Sequence, residues 1–298
     1  MSNLILVIVC LLIGLCLQRV KRFPQDAYIS LNAYIIYVAL PAVVLHEIPK
    51  LTLNREALLP IVLAWSVMLF TAVLVFFTGR VCQWSRGVTG ALMLTVPLGN
   101  TSFVGLPLLQ AFLGNEALPY AILYDQFGTF LALNTAGVAI ASYYSNNNKH
   151  SPPVWKNIII FPPFIALLLA FGCRWLEYPN WFNDILPRIA LTLVPVVMVA
   201  VGLQWRLRLD KEHLQPLAIG LIYLLLLSPL FAWGVLKLLA VQGLVAKVII
   251  LEAAMPSMIS AGVLATSHHL APKLTASIVG YSITIGLLSV WLWHQILS

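Results

Sequence analysis

The chain of 298 residues is 61% hydrophobic and only 9% charged, and its mean hydropathy is +0.94. A soluble domain carries about 25% charged residues, so this chain lacks the polar groups needed to cover a water-soluble globule, and we expect an integral membrane protein. The formal net charge of +7 does not indicate nucleic-acid binding, because no basic run is longer than RVKR at residues 19–22 and no aromatic residues are interleaved with a basic patch.

The cysteines give no sign of a cofactor or metal site. Cys10, Cys16, Cys82 and Cys173 lie within or at the edges of apolar segments, and none belongs to a CxxC pair. Free cysteines in such surroundings behave as small apolar residues. We therefore predict neither a disulfide framework nor a metal site, and no cofactor.

Apolar segments of helical length recur along the whole chain. A helix needs about 20 predominantly apolar residues to cross a bilayer. The sequence predicts ten such spans, at residues 3–18, 28–48, 57–79, 87–113, 117–141, 157–176, 184–205, 214–239, 244–267 and 273–296. We expect an all-α polytopic membrane protein with a first five-helix half at 1–141, a central Asn/Pro-rich loop at 142–156 and a second five-helix half at 157–298.

The positive charges predict an orientation. Cytoplasmic loops of membrane proteins are enriched in Lys and Arg, and an external N-terminus places most of the 17 Lys and Arg residues on the cytoplasmic side. We expect a multi-pass protein of the cell membrane with both termini outside and the central loop inside. Because each half has an odd number of spans, related halves would form an inverted repeat, which is frequent in secondary transporters.

Prolines at matching places support such a repeat. The second span contains ALPAVV with Pro41, and the seventh contains LVPVVM with Pro195. The fourth contains TVPLGN with Pro97, and the ninth contains AMPSMI with Pro256. The second and fourth spans of one half therefore match the second and fourth spans of the other.

The fourth span is interrupted by helix-breaking and polar residues over PLGNTSFVGLP at 97–107. Proline removes a backbone donor and displaces the carbonyl four residues earlier. An unsatisfied backbone group in hydrocarbon costs several kcal/mol, so such breaks persist only where protein or a wet cavity covers them. We expect Gly99 and Gly105 to permit an unwound backbone there, with polar side chains facing inward.

The ninth span carries a matching break in AMPSMISAG at residues 254–262. Two half-helices that meet at the bilayer centre bring exposed N–H groups and positive dipole ends to one place, which suits a carboxylate. The alternative is a pair of kinked helices without a ligand. We predict a midplane binding site formed by Pro97, Gly99, Asn100, Thr101, Ser102, Pro256, Ser257 and Ser260.

The motif TVPLGNTSFVGLPLLQAFLG resembles the fourth-helix motif of the auxin efflux carrier family, and YVALPAVVL and EAAMPSMISAGVLA fit its proline-bearing second and ninth helices. The resemblance covers the whole chain and is closest to the compact microbial branch, because the central loop is short. It implies two inverted five-helix repeats, interleaved scaffold and transport domains, and broken helices that cross beside the substrate. Members of the family move organic anions, auxin in plants and dicarboxylates such as malate or malonate in some bacteria. The family also implies a homodimer formed through the scaffold helices.

Two acidic residues fall inside predicted spans, Asp125 in the fifth and Glu252 in the ninth. A charge at the bilayer centre costs at least about 2.5–3.5 kcal/mol, so such residues usually face a cavity or a partner. Both are candidates for proton coupling. For Asp125, a structural role as a hydrogen-bond acceptor is an equal alternative, and Glu252 could lie nearer the outer boundary.

These features favour a secondary transporter of small organic anions, auxin-like or dicarboxylate, that works by alternating access in the lipid membrane. A channel and a non-transporting receptor or scaffold are the alternatives. An enzyme is disfavoured, because neither HExxH nor GxSxG occurs. An interior at about −100 mV drives a monoanion outward by about 2.3 kcal/mol, whereas uptake needs a coupling proton or sodium ion, and both directions stay open at this point.

Overall fold

The computed structural model describes residues 2–24, 26–51, 55–145, 158–173, 175, 178–207 and 211–297. Most of these residues are helical. Within the described ranges the extended pairing is limited to an isolated antiparallel bridge between Gly99 and Ser257. The prediction of an all-α polytopic protein is confirmed at this level. The predicted central loop lies outside the described residues beyond residue 145.

The first half folds into helices that are partly joined end to end by wider π-helical turns. The α-helices described there are α1 (Ser2–Leu17), α2 (Ala27–Tyr34), α3 (Leu40–Glu47), α4 (Leu59–Val81), α5 (Arg86–Thr95), α6 (Leu106–Leu113), α7 (Leu118–Leu123) and α8 (Val138–Tyr144). The π-helical turns are Ile35–Ala39, Thr101–Gly105, Tyr124–Phe130 and Leu133–Gly137. These turns make α2–α3 and α7–α8 continuous rods.

The described residues of the second half are also mainly α-helical, and they contain one π-helical turn, Tyr223–Leu227, between α12 and α13. The α-helices described there are α9 (Pro162–Gly172), α10 (Asn180–Ala190), α11 (Leu193–Gln204), α12 (Leu214–Ile222), α13 (Ser228–Leu238), α14 (Leu244–Ala253), α15 (Ile259–Ser267) and α16 (Pro272–Leu297).

Several helical stretches are long and apolar enough to cross a membrane. In the described part of the chain there are five, Ala27–Lys50, Glu56–Val81, Asn180–Gln204, Leu214–Leu238 and Pro272–Leu297. Shorter apolar helices cover Leu4–Leu17, Thr101–Leu113 and Pro162–Gly172. The chain is therefore a multi-pass membrane protein, and its ten-span inverted repeat stays a prediction.

Helix α1 packs tightly along α11 through a pair of glycines. A Cβ atom built on Gly14 would meet the carbonyl oxygen of Val199 and would lie 2.9 Å from the Cα atom of Gly202. Small residues allow membrane helices to approach backbone to backbone in this way. Helices α2 and α3 pack against α9, α10 and α11, whereas α5 packs against α8, α15 and α16.

The predicted helix breaks are present, but the first is shorter than expected. Helix α5 ends at Thr95 and helical structure resumes at Thr101, while α14 ends at Ala253 and α15 begins at Ile259. The expectation that the break extends to Pro107 is wrong. Pro107 is the second residue of α6, directly after the π-helical turn Thr101–Gly105, and helical structure continues through it to Leu113.

Candidate functional site at the crossing of two broken helices

The two breaks cross each other and satisfy each other's backbone. The N–H group of Asn100 donates to the carbonyl oxygen of Pro256 at 2.7 Å, and the N–H group of Met258 donates to the carbonyl oxygen of Leu98 at 2.8 Å. These bonds form the antiparallel bridge between Gly99 and Ser257. Backbone groups within the two breaks are thus paired with each other inside the protein, as a low-dielectric interior requires.

Two helix N-termini face one cavity beside this crossing. Asn100 precedes the turn Thr101–Gly105 and caps it, since its Oδ1 atom accepts a hydrogen bond from the N–H group of Phe103 at 3.2 Å. Met258 precedes α15. Asn100, Met258 and Ser260 line a cavity of about 420 Å³. The N-terminus of a helix carries a partial positive charge, so both N-termini favour negative charge in this cavity.

The side-chain amide of Asn100 supplies a further donor. Asn100 is fully buried, and its Nδ2 atom makes no hydrogen bond to the residues that the structure describes. A buried unpaired donor is costly unless a ligand or water accepts from it. The position of Asn100 on the cavity wall makes it the main candidate for direct contact with a bound anion.

The rest of the cavity wall is largely apolar. Its aromatic members include Tyr37, Phe103, Phe130 and Phe161, and the rings of Phe130 and Phe161 stack with centroids 4.0 Å apart. None of the described lining residues is charged. A volume of this size with a few polar groups among apolar walls is typical of small-molecule sites.

Asp125 ties the rod α7–α8 to the start of the broken helix. It is fully buried, and its Oδ1 atom accepts hydrogen bonds from the hydroxyl groups of Thr101 and Ser102, each at 2.5 Å. Its Oδ2 atom accepts from the amide of Gln126 at 2.6 Å. Three donors aimed at one carboxyl group hold it in place.

Glu252 has the opposite environment. It is 1% exposed, and neither carboxyl oxygen accepts a hydrogen bond from any residue in the described ranges. Its carboxyl group lies against the backbone of Gly105, where a Cβ atom would come within 2.9 Å of Oε1 and would contact Oε2. The expectation that Gly105 unwinds the backbone is therefore wrong: Gly105 is helical, and its missing side chain leaves room for the carboxyl group.

The predicted binding residues divide between two sides of the crossing. Those on the 420 Å³ cavity are Asn100, Ser102 and Ser260. A separate, nearly enclosed small cavity next to Glu252 is lined by others of the set, Pro97, Gly99 and Thr101.

Pro256 and Ser257 lie in the crossing itself. The carbonyl oxygen of Pro256 accepts from Asn100, and the N–H group of Ser257 donates to the hydroxyl group of Ser282 at 3.0 Å. Both residues therefore shape the crossing and are absent from the described walls of the larger cavity.

Sequence reasoning missed several residues around the crossing. The aromatic walls gave no signal, because Phe and Tyr are common in every membrane helix. Thr129, which lines the small cavity, lies one helical turn after Asp125, and this spacing could have identified it. Ser228 of α13 and Ser282 of α16 form hydrogen bonds with Ala253 and Ser257, at the second break. Only the fold reveals these contacts.

Another cavity of about 510 Å³ lies between the end of α11 and helices α15 and α16. Gln204 and Arg206 are among its lining residues, and most of its surface is apolar. It touches the start of α15 at Ile259, but none of its described lining residues belongs to the break in the fourth span, whereas the 420 Å³ cavity reaches both breaks. The 420 Å³ cavity is therefore the candidate ligand site.

The long apolar helices define a multi-pass membrane protein, and the family match gives its class. Residues 1–294 match the family model described as Membrane transport protein. The chain belongs to this family, the auxin efflux carrier family that its fourth-helix motif resembles.

Two archaeal relatives agree with this assignment. An uncharacterized transporter of Methanocaldococcus jannaschii is 27% identical over 100% of this chain and 98% of its own length. An uncharacterized transporter of Methanothermobacter thermautotrophicus is 28% identical over 98% of this chain and 96% of its own length. The protein is thus a membrane transporter with a small-molecule substrate, and not an enzyme.

Proposed function

We propose that the protein carries small organic anions across the membrane by alternating access at the crossing. The observation that supports this most is the convergence of two helix N-termini and the unpaired amide of Asn100 on one cavity. Helix N-termini and amide donors recognise a carboxylate without a full positive charge. Discontinuous helices present their N-termini to anionic substrates in other secondary transporters.

The absence of Lys and Arg from the described cavity wall suits a carrier. A full charge paired with the substrate would hold it tightly, whereas transport requires that binding be weak enough for release. Partial charges and amide donors provide selection for negative charge with moderate affinity.

The wall composition favours a monocarboxylate with an apolar or aromatic body over a dicarboxylate. One carboxylate can lie against Asn100 and the helix N-termini, while Phe103, Phe130 and Phe161 surround the rest of the ligand. The second carboxylate of malate or malonate would be buried against apolar side chains, which is costly for an unpaired charge. Both classes fit the family, and we expect the first to be preferred.

The two acidic residues take different roles in this proposal. Asp125, with three donors, braces the start of the broken helix and does not exchange protons during the cycle. Glu252, whose carboxyl oxygens accept no hydrogen bond from the described residues, is the residue that takes a coupling cation or proton.

The remaining features are proposed with the carrier function. Both termini lie on the outer side of the cell membrane. The ten spans form two inverted repeats that contribute jointly to a scaffold domain and a transport domain. The tight contact of α1 with α11 belongs to the scaffold, through which two copies form a homodimer.

A direct test measures substrate-induced current on a solid-supported membrane with reconstituted protein. The panel contains indole-3-acetate, an aliphatic monocarboxylate, malate and malonate, each at two pH values. We expect transport of the monocarboxylates, seen as current or as counterflow, that disappears in Asn100→Asp, which places a negative charge in the cavity. Radiolabelled counterflow detects electroneutral exchange. The absence of both current and counterflow for every member of the panel would contradict the proposal.

A further inference from the structure

The crossing separates two kinds of helix ends. The N-termini of the turn Thr101–Gly105 and of α15 face the 420 Å³ cavity. The C-terminal ends of α5 and α14 lie on the other side, where Pro97, Glu252 and Ala253 line the small cavity. Helix C-termini carry a partial negative charge. The two sides of one crossing thus have opposite polarity.

The small cavity holds polar side chains without protein partners. Glu252 and Thr129 are each 1% exposed. Neither the carboxyl oxygens of Glu252 nor the hydroxyl group of Thr129 forms a hydrogen bond with a residue in the described part. The described wall contains no Lys, Arg or His. A buried carboxylate in such surroundings requires a compensating positive charge.

The other residues with polar side chains on this wall are Thr101, Ser228 and Tyr124, and each presents an oxygen with lone pairs. Thr101 donates its hydroxyl hydrogen to Asp125, and Ser228 donates its hydroxyl hydrogen to the carbonyl oxygen of Ala253 at 2.8 Å. A hydroxyl that has donated its hydrogen elsewhere still offers lone pairs. Together with Glu252 and Thr129, they form an all-oxygen donor set, which suits a hard cation.

The size of the cavity limits what it can hold. Its volume is about 10 Å³, close to that of a single water-sized sphere. An organic molecule is excluded, whereas a small monovalent cation fits. Its location at the C-terminal ends of interrupted helices matches the way secondary transporters coordinate Na⁺.

We infer that this cavity, built around Glu252 and Thr129, is a sodium site on the opposite face of the crossing from the anion site. The inference rests on the proposed function only for the role of Na⁺ as a coupling ion, and Na⁺ binding itself is independent of substrate. Because the bridge Gly99–Ser257 joins both sides, occupancy of the sodium site stabilises the geometry that receives the anion.

The first test is thermal unfolding of the purified full-length protein without substrate. Melting temperature is measured in NaCl, KCl and choline chloride at equal ionic strength and at two pH values. A ligand that binds the folded state alone raises the melting temperature with the logarithm of its concentration above the dissociation constant. We expect this rise with NaCl and not with the other two salts, and direct ²²Na⁺ binding by the wild-type protein.

Variants locate the site. Glu252→Gln removes Na⁺ binding, and Thr129→Val weakens it by about tenfold. The matched control is Glu47→Gln, which changes another buried glutamate, one that pairs with Lys50 at 3.1 Å, and keeps the Na⁺ response. Thr129→Val preserves the test if Glu252→Gln does not fold.

Equal melting temperatures in all three salts, with a shift that follows pH alone, would overturn the inference and assign a proton to Glu252. Retained ²²Na⁺ binding in Thr129→Val at wild-type affinity would also overturn it. These outcomes are separate from a failure of the anion site, because Asn100 variants are expected to lose anion transport while keeping the Na⁺-dependent rise in melting temperature.

Discussion

Replacement of Asn100 separates the two tasks that its side chain performs. Its Oδ1 atom caps the turn Thr101–Gly105 by accepting from the N–H group of Phe103, and its Nδ2 atom is free to donate to a ligand. Asn100→Ala removes both. Asn100→Asp keeps the cap, because a carboxylate oxygen accepts in the same place, but it removes the donor and adds a negative charge.

The expected magnitudes follow from these contacts. Loss of an N-cap costs about 0.5–2 kcal/mol of stability. A hydrogen bond to a charged group contributes about 1.5–3 kcal/mol, which corresponds to a loss of affinity of about 10- to 150-fold. Asn100→Ala should therefore show both a lower melting temperature and weaker binding. Asn100→Asp should also lower the melting temperature, because it buries an unpaired carboxylate, and it should lose transport more completely, since like charges repel.

The assay combines thermal unfolding in detergent with the concentration dependence of radiolabelled substrate transport in proteoliposomes. Insertion into the membrane is checked by the amount of protein recovered in the vesicles. Transport by Asn100→Asp with a half-saturating concentration within about twofold of wild type, far below the expected change, would refute the assignment of Asn100 to the anion site.

Three further predictions address the brace, the cavity wall and the helix packing. Asp125→Asn lowers stability because an amide NH₂ group replaces the Oδ2 atom that accepts from Gln126, and because an amide oxygen is a weaker acceptor than a carboxylate for Thr101 and Ser102. The pH profile of transport keeps its shape, and a profile that becomes flat would identify Asp125 as the proton carrier. Phe130→Ala weakens transport of an aromatic monocarboxylate more than that of a short aliphatic one, as measured by competition, and equal effects on both would argue against an aromatic wall. Gly14→Ala lowers the free energy of unfolding by about 1–3 kcal/mol, because it overpacks the contact of α1 with α11. In the control Gly234→Ala the added carbon has no neighbouring atom within 4 Å, so the melting temperature stays unchanged or rises. Equal melting temperatures for the two variants would contradict the tight packing.

Several features of the site followed from local chemistry alone. Composition identified a membrane protein, and the prolines in TVPLGN and AMPSMI identified where helices stop, because a missing N–H group and a ring clash act within one turn. The polar residues at the break, Asn100 above all, were predicted as well, because polar side chains within a membrane span are costly and usually face a cavity or a partner.

Other features were misjudged because they depend on a neighbour that is distant in the sequence. Gly105 was expected to unwind the chain, but it is helical, and the absence of its side chain makes room for Glu252 of the other half. The roles of Asp125 and Glu252 could not be separated from the sequence either. Both are single acidic residues in apolar helices, and only the fold brings three donors to the first and no described donor to the second.

The sequence by itself thus determined the class of protein, the positions of the helix breaks and the polar residues located at them. These depend on composition and on interactions within a few residues. Tertiary structure alone decided that the breaks pair as Gly99 with Ser257, and that this pairing turns helix N-termini to one side and C-termini to the other. The polarity of each cavity arises from helix ends that lie far apart in the chain, so only the packing of the two halves could reveal it.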